Sequence, residues 1–318
     1  MNILVTGGCG YIGHYAVQDL LDLGHNVIVV DDLSTGYKEG INDKSSFYQV
    51  DIRDYDKLLE VFTKENIDLV MDFAARLIVE ESVENPALYY DVNINGLKNV
   101  LDCMVKTNVK NIIFSSTAAV HGLLNKGEEL INEEDPTIPS NPYGETKLAG
   151  EKMIEWYAKA YDLNYVLFRY FNVVGGNKPG SDVSEFTTIV PRIISSIRDN
   201  KQLQVFGNDY PTRDGSTIRD FIHVYDLVSA HILMVDKIDS IESGVYNLSI
   251  GQGTTILELI NSAAKTLNKE IDYKVAPRRE GDPIVSAATN DKILKVIDWN
   301  IKYPTIYDMI KESYESWT

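Results

Sequence analysis

Apolar residues in this chain fall into short unbroken runs, separated by longer segments in which they recur every three or four positions. Residues 3–6, 26–30, 69–73, 111–115 and 165–170 are runs of the first kind, and the more mixed stretch 46–50 also reads as a strand. Unbroken runs suit strands covered on both faces, and the 3.6-residue period suits helices packed on them. Ile12, Ala16, Val17, Leu20 and Leu21 mark one such helix, and others are predicted over 55–65, 86–107 and 143–161. Strand–helix alternation of this kind builds a doubly wound α/β fold with a parallel sheet. Beyond about residue 175 the alternation loosens. Helices are predicted over 184–200, from near Tyr225-Asp226, and over 256–267, 291–297 and 306–317. Short strands fall at 204–206 and 245–248, with a turn-rich loop at 207–216. The pattern divides the chain into a nucleotide-binding domain, 1–175, and a smaller C-terminal α/β substrate-binding portion, 176–318, with segments exchanged between them. No internal repeat or low-complexity segment interrupts it.

Composition narrows the picture. The 318 residues are 44% apolar, as in a globular protein, and no apolar run nears the ~20 residues of a membrane helix. A net charge of −17 argues against nucleic acid, which needs clustered Lys and Arg. A small phosphorylated ligand stays open, because a few local donors hold a diphosphate. Cys9 and Cys103 form no metal or redox pattern, so no metal site is expected and a reducing cytoplasm is. The start, Met1-Asn2-Ile3-Leu4-Val5, has no signal-peptide pattern.

The first run leads into Gly7-Gly8-Cys9-Gly10-Tyr11-Ile12-Gly13. Glycines at this spacing between a strand and a helix permit a tight turn and close approach of amides to a pyrophosphate. This is a Rossmann-type signature. The second strand ends at Asp31, 18 residues past Gly13. There an acid accepts ribose hydroxyls and repels a 2′-phosphate, which favours NAD over NADP. Asp51 also ends a strand, where it either contacts an adenine or caps the next helix. Ala74-Ala75-Arg76 lets the chain pass close to a cofactor, and Asn93 reads mainly as a backbone tie. Ser115-Ser116-Thr117 puts hydroxyls at the carboxyl end of a strand, where open α/β sheets place chemistry. Tyr143 and Lys147 lie four apart, on one helix face. An ammonium beside a phenol favours the phenolate, giving an acceptor for an alcohol proton.

With these pieces stand Arg169-Tyr170-Phe171-Asn172, the block from Phe206-Gly207-Asn208-Asp209-Tyr210-Pro211 through Arg219-Asp220-Phe221-Ile222-His223, Tyr246-Asn247-Leu248 and Arg278-Arg279-Glu280-Gly281-Asp282. Over essentially its whole length the chain resembles the extended short-chain dehydrogenase/reductases, and within them the UDP-glucose (UDP-galactose) 4-epimerases. The resemblance implies tightly bound NAD along Gly7, Gly10, Tyr11, Ile12 and Gly13. It extends the cofactor site over Asp31, Asp32, Ser34, Thr35, Gly36, Asp51 and Ile52. Phe73, Ala74, Ala75, Asn93, Ser115, Tyr143, Lys147 and Phe171 complete it. Tyr143 is implied as the acid/base on the sugar 4-hydroxyl, with Lys147 binding the nicotinamide ribose and holding the Tyr143 pKa down. Thr117 is implied to bridge substrate oxygen and phenol. Asn172, Arg219, Arg279 and Asp282 are implied to grip UDP, with Thr188, Ile189, Gln204, Phe206, Tyr246 and Ser286 also lining the substrate site. The implied reaction oxidises C4, lets the 4-keto sugar turn over, and returns hydride to the opposite face.

Sister enzymes that dehydrate or decarboxylate need further acid/base groups, whereas Ala118 and Ala119 follow Thr117 here. A UDP-glucuronate 4-epimerase is the nearer alternative. A non-catalytic NAD-sensing protein is the remote one, disfavoured by the retained Tyr–Lys pair. Family members commonly dimerise through two helices, here about 86–107 and 142–161. Three positions depart from the family pattern. His121 replaces the common Tyr, with packing as its expected role, and Glu80 replaces a common Gly. Ser286 stands about where hexose-restricted members carry a bulky aromatic, which in this family goes with acceptance of UDP-GlcNAc and UDP-GalNAc.

Overall fold

The computed structural model describes residues 1–279 and 281–318. Its centre is a parallel sheet of β1 (Asn2–Thr6), β2 (Asn26–Asp31), β3 (Ser46–Gln49), β4 (Leu69–Asp72), β5 (Asn111–Thr117), β6 (Asn164–Tyr170) and a seventh strand, Gly244–Leu248. In space the order is Gly244–Leu248, β6, β5, β4, β1, β2, β3. Successive side chains of a strand face opposite ways. Ile3 and Val5 therefore pack with Ala16, Val17 and Leu20 on one face, while Leu4 packs with Leu58 and Phe62 on the other. Helices Gly13–Asp22 and Val224–Val235 cover the first face. Tyr55–Glu65, Leu97–Thr107 and Pro142–Tyr161 cover the second.

The predicted helix over 86–107 is interrupted. Pro86–Tyr90 and Leu97–Thr107 flank a π-helical turn, Asp91–Gly96. Gly96 faces Ile52 so closely that a Cβ would lie 2.4 Å from its Cδ1. Asn93, inside the turn, bonds out to other segments. The helix predicted from 184 starts later, at Ile189, because Val183–Glu185 forms a separate turn capped by Asp182 and Phe186 is extended.

The remaining strands are short. Leu203–Phe206 pairs with Tyr273–Ala276, Asn172–Val174 with Phe221–His223, and Ile218–Arg219 with both Thr254–Thr255 and Val285–Ser286. Helices Ile189–Asp199, Ile256–Leu267 and Ile306–Trp317 pack over them around Ile193, Leu203, Phe221, Leu259 and Met309. The seventh strand comes from this later part of the chain yet completes the first sheet beside β6. The carboxyl ends of the central strands, from Thr6 to Tyr170 and Leu248, open toward it.

Candidate active site

The glycine turn leaves no room for side chains. Gly7 has φ +68°, and a Cβ there would lie 2.9 Å from the backbone of Phe73 and Ala74. A Cβ on Gly13 would lie 2.2 Å from the Gly7 carbonyl oxygen. The helix Gly13–Asp22 begins at Ile12 with no side-chain cap, so its first amides suit an external acceptor such as a pyrophosphate. Tyr11 donates its hydroxyl to the Gly175 carbonyl at 2.5 Å. Asp31 accepts from the Cys9 amide at 2.9 Å and the Leu33 amide at 2.8 Å. Burial raises its carboxyl pKa, and the two amide bonds pull it back. Leu33 pays for this grip with φ +61°, an uncommon conformation for a residue with a Cβ. Next to it, Asp32 accepts from the Ser34 amide, and a Cβ on Gly36 would lie 3.0 Å from Asp31 Oδ1. Lys178 reaches the Thr35 carbonyl from the later part of the chain. A side-chain-free cradle, uncapped amides and a buried acid at the β2 end fit NAD.

Four residues expected on the cofactor side make contacts within the protein. Asp51 is no helix cap: Asp54 caps Tyr55–Glu65, and Asp51 pairs with Arg53 at 2.6 Å. Asn93 spends its amide on protein, accepting from the Arg76 amide and donating to the Arg76 carbonyl and Thr146 hydroxyl at 2.8, 3.0 and 2.9 Å. It ties the segment after Ala75 to the catalytic helix, as its reading as a backbone tie expects. Phe171 is buried with Ile131 and Ala288, so its side chain serves packing. Ile52, likewise, packs in the core against Gly96.

Asn141 caps the helix Pro142–Tyr161, accepting from the Gly144 amide at 2.9 Å, and so fixes where Tyr143 enters the cleft. Lys147 follows one turn later, buried, donating to the Ser115 carbonyl at 2.7 Å with its ammonium 4.8 Å from the Phe114 ring centre. Burial lowers the Lys147 pKa to about 8, while Asp72 and then Glu151 pull it up. Burial raises the Tyr143 phenol, and a hydrogen bond with Thr117 opposes the rise. The Thr117 hydroxyl thus favours the phenolate, while Lys147, one turn on, donates to the Ser115 carbonyl. Behind this group Arg169 grips Glu151 through two bonds, 2.9 and 2.7 Å, and Glu151 also accepts from Ser116 at 2.5 Å. His121 lies buried between the Pro136 carbonyl, 3.0 Å, and Arg169, 3.3 Å.

On the substrate side, Arg219 pairs with Asp282 at 3.2 Å and donates to the Ile218 and Pro283 carbonyls at 2.8 and 2.9 Å. Arg279 stacks 4.4 Å over the Phe206 ring and pairs with Glu80 at 3.1 Å. Glu80 sits in the first turn of an ordinary helix, Val79–Glu84. Asn172 donates to the Asp220 carbonyl at 2.9 Å. Gln204 is exposed on the strand that ends in Phe206, and Thr188 starts the helix that opens with Ile189. Ser286 pairs with Arg219 in its short sheet. Tyr246 is a correction: it is buried in the sheet core beside Phe168, its hydroxyl donating to the Glu242 carbonyl at 2.8 Å. Its strand position points it into the core rather than the cleft.

Three residues escaped sequence reasoning. Asp72 is buried at the β4 end, in register with Phe114, whose ring the Lys147 ammonium lies over. Tyr170 bonds His231 at 2.5 Å and lies near Ser115 and Tyr143. Arg192 brings another guanidinium 5.9 Å from the Phe206 ring, near Arg279. A carboxylate closing a parallel strand was the available signal for Asp72. Among the described residues, no group of His, Cys, Asp and Glu is arranged to hold a metal ion.

Fold and site together define a Rossmann-type enzyme architecture that sets a Tyr–Lys–Thr group beside a dinucleotide cradle. Residues 3–249 match the family model of the NAD dependent epimerase/dehydratase family, and the chain belongs to that family. It is 42% identical to a UDP-glucose 4-epimerase of Lacticaseibacillus casei, over 100% of this chain and 96% of that one. The crystal structure of UDP-glucose 4-epimerase from Bifidobacterium longum in complex with NAD+ and UDP superposes with a TM-score of 0.89 at 36% identity, covering 100% of this chain and 98% of that one. The UDP-Glc/GlcNAc 4-epimerase of Campylobacter jejuni gives 0.86 at 33% identity, covering 99% and 98%.

Proposed function

We propose that this chain interconverts UDP-glucose and UDP-galactose at C4 with NAD as a retained cofactor. The observation that carries the reading is Tyr143, Lys147 and Thr117 gathered at the β5 end beside the glycine cradle, in a chain 42% identical to a UDP-glucose 4-epimerase along its whole length. When bound, NAD supplies an acceptor for the C4 hydride and later gives it back, so the reaction has no net redox change. Tyr143 takes the C4 hydroxyl proton as the hydride departs, Thr117 orients the two oxygens, and Lys147 keeps positive charge near the phenol. Arg219 and Arg279 hold the diphosphate through forked donors while the 4-keto sugar turns. Tyr143 returns the proton after hydride reaches the other face. The nucleotide domain, 1–175, holds NAD and residues 176–318 hold the sugar nucleotide.

The purified protein is expected to carry NAD and to turn over UDP-galactose. Tyr143→Phe is expected to cut kcat by roughly 10²–10⁴-fold with the fold intact. An active Phe variant would overturn the assignment. Half-buried Ser286, small and next to Arg219, favours a wider sugar pocket that also takes UDP-GlcNAc and UDP-GalNAc. Robust UDP-galactose turnover with none on UDP-GlcNAc would reject that extension. A homodimer through the helical regions 86–107 and 142–161 is the expected assembly, which sedimentation would detect. Two unpaired buried thiols, Cys9 and Cys103, support a reducing cytoplasm.

A further inference from the structure

We propose that Glu312, on the last helix, is a positioning residue for cofactor retention: it holds a strap, residues 175–185, closed against the cofactor cradle. The inference rests on the reading of NAD as a retained cofactor, and its test does not need turnover. The strap leaves the short strand Asn172–Val174 through two glycines with positive φ, Gly175 at +88° and Gly176 at +60°. A Cβ on Gly175 would lie 1.9 Å from His223 Nε2, and one on Gly176 would lie 2.3 Å from the Tyr15 hydroxyl. Four residues of the first half bond to the strap. Tyr11, in the cofactor turn, donates to the Gly175 carbonyl at 2.5 Å. The Tyr15 hydroxyl donates to the Asn177 carbonyl at 2.9 Å and accepts from the Asn177 amide at 2.8 Å. In the loop after Asp31, the Thr35 carbonyl accepts from Lys178, and Tyr37 donates to Glu185. The strap therefore joins both parts of the cradle, the glycine turn and the loop beside the buried acid.

Glu312 fixes the start of that strap. One of its oxygens accepts from the Gly176 amide at 2.7 Å and from His223 Nε2 at 2.6 Å, and the other accepts from the Ser316 hydroxyl at 2.7 Å. His223 Nδ1 accepts from the Tyr225 amide at 3.2 Å, which leaves a proton on Nε2, facing Glu312. The imidazole is fully buried and stacked 3.9 Å from the Tyr303 ring, so it is a rigid anchor for the carboxylate. The same helix touches the strap twice more. The Asn177 side chain donates to the Ser316 carbonyl at 3.1 Å, and Trp317 packs edge-on against Phe186, which packs edge-on against Tyr11. Hydrogen bonds to a charged acceptor are among the stronger ones, and a buried group left without its partner is costly. Lifting the strap means parting Gly176 from Glu312 and Gly175 from Tyr11. A dinucleotide in the cradle stays while those ties hold.

The test is the exchange of NAD from the holoenzyme, loaded with radiolabelled NAD and chased with unlabelled NAD. Glu312→Ala removes all three bonds, and its label is expected to leave roughly tenfold faster or more, the effect of about one lost hydrogen bond. Glu312→Gln keeps an oxygen for Gly176 and His223 and turns its amide to Ser316, so it should exchange near the wild-type rate. Met309→Ala empties buried packing under the same helix and leaves Glu312 in place. It should lower stability without speeding exchange. Tyr11→Phe removes only the hydroxyl at the other end of the link and should speed exchange in the same direction; it serves if Glu312→Ala does not fold. Unmoved exchange in the folded Glu312→Ala or Tyr11→Phe variant overturns the proposal. So does exchange as fast in Glu312→Gln or Met309→Ala as in Glu312→Ala. A wild type that exchanges NAD freely rejects retention itself, and the strap's role with it. Slow exchange quickened by Glu312→Ala, with no epimerase activity in the wild type, would keep the proposal and reject the catalytic reading instead.

Discussion

Arg169 and Arg279 each face a carboxylate, one behind the catalytic helix and one across the cleft. The pair Arg169–Glu151 is 5% and 0% exposed, and its oxygens also take the Ser116 hydroxyl. The pair Arg279–Glu80 is 40% and 58% exposed and has one contact at 3.1 Å. Buried, hydrogen-bonded charges are costly to separate, because whichever partner remains has no water to turn to. Exposed pairs are worth about 0–1 kcal/mol. The first pair therefore sets geometry, locking the β5 end to the helix that carries Tyr143 and Lys147. The second is weak enough to release Arg279 to the diphosphate of the proposed substrate.

That contrast can be broken at either end. Glu151→Ala leaves Arg169 buried and unmatched, and it is expected to cost about 3–5 kcal/mol in denaturant unfolding. A loss below about 1 kcal/mol would mean the pair is no lock. Arg279→Ala removes charged donors from the diphosphate, worth about 1.5–3 kcal/mol, so KM for UDP-galactose should rise roughly ten- to a hundredfold with stability little changed. Glu80→Gln is the mildest. Its stability should stay within about 0.5 kcal/mol and KM should fall by at most about fivefold, since it frees Arg279 from a competing acid. A rise in KM would show that Glu80 aids binding instead.

The same contrast explains what the sequence made legible. β1, β2, β4, β5 and β6 announced themselves because strands covered on both faces are written as apolar runs. Ile218–Arg219, Thr254–Thr255 and Val285–Ser286 are two residues each, too short to carry a period, and Tyr273–Ala276 is largely exposed. The π-helical turn was hidden because Asn93 and Gly96 fit a helical pattern and act only through contacts with Arg76, Thr146 and Ile52. In the site, the glycines, Asp31 and the Tyr143–Lys147 spacing are local and could be read. The grip of Arg169 on Glu151 could not, since it joins a strand to a helix by two bonds that no local spacing announces. Tyr246 misled for the opposite reason: a family motif gave it a role, and the pleat of its strand gave it another.

The borrowed strand Gly244–Leu248 has a consequence for anyone who wishes to dissect the molecule. A fragment stopping near 175 would end with β6 bare along one side, its amides and carbonyls offered to any passing extended chain. Such a truncate should clump rather than bind nucleotide, so the two halves are expected to fold and unfold as one cooperative object.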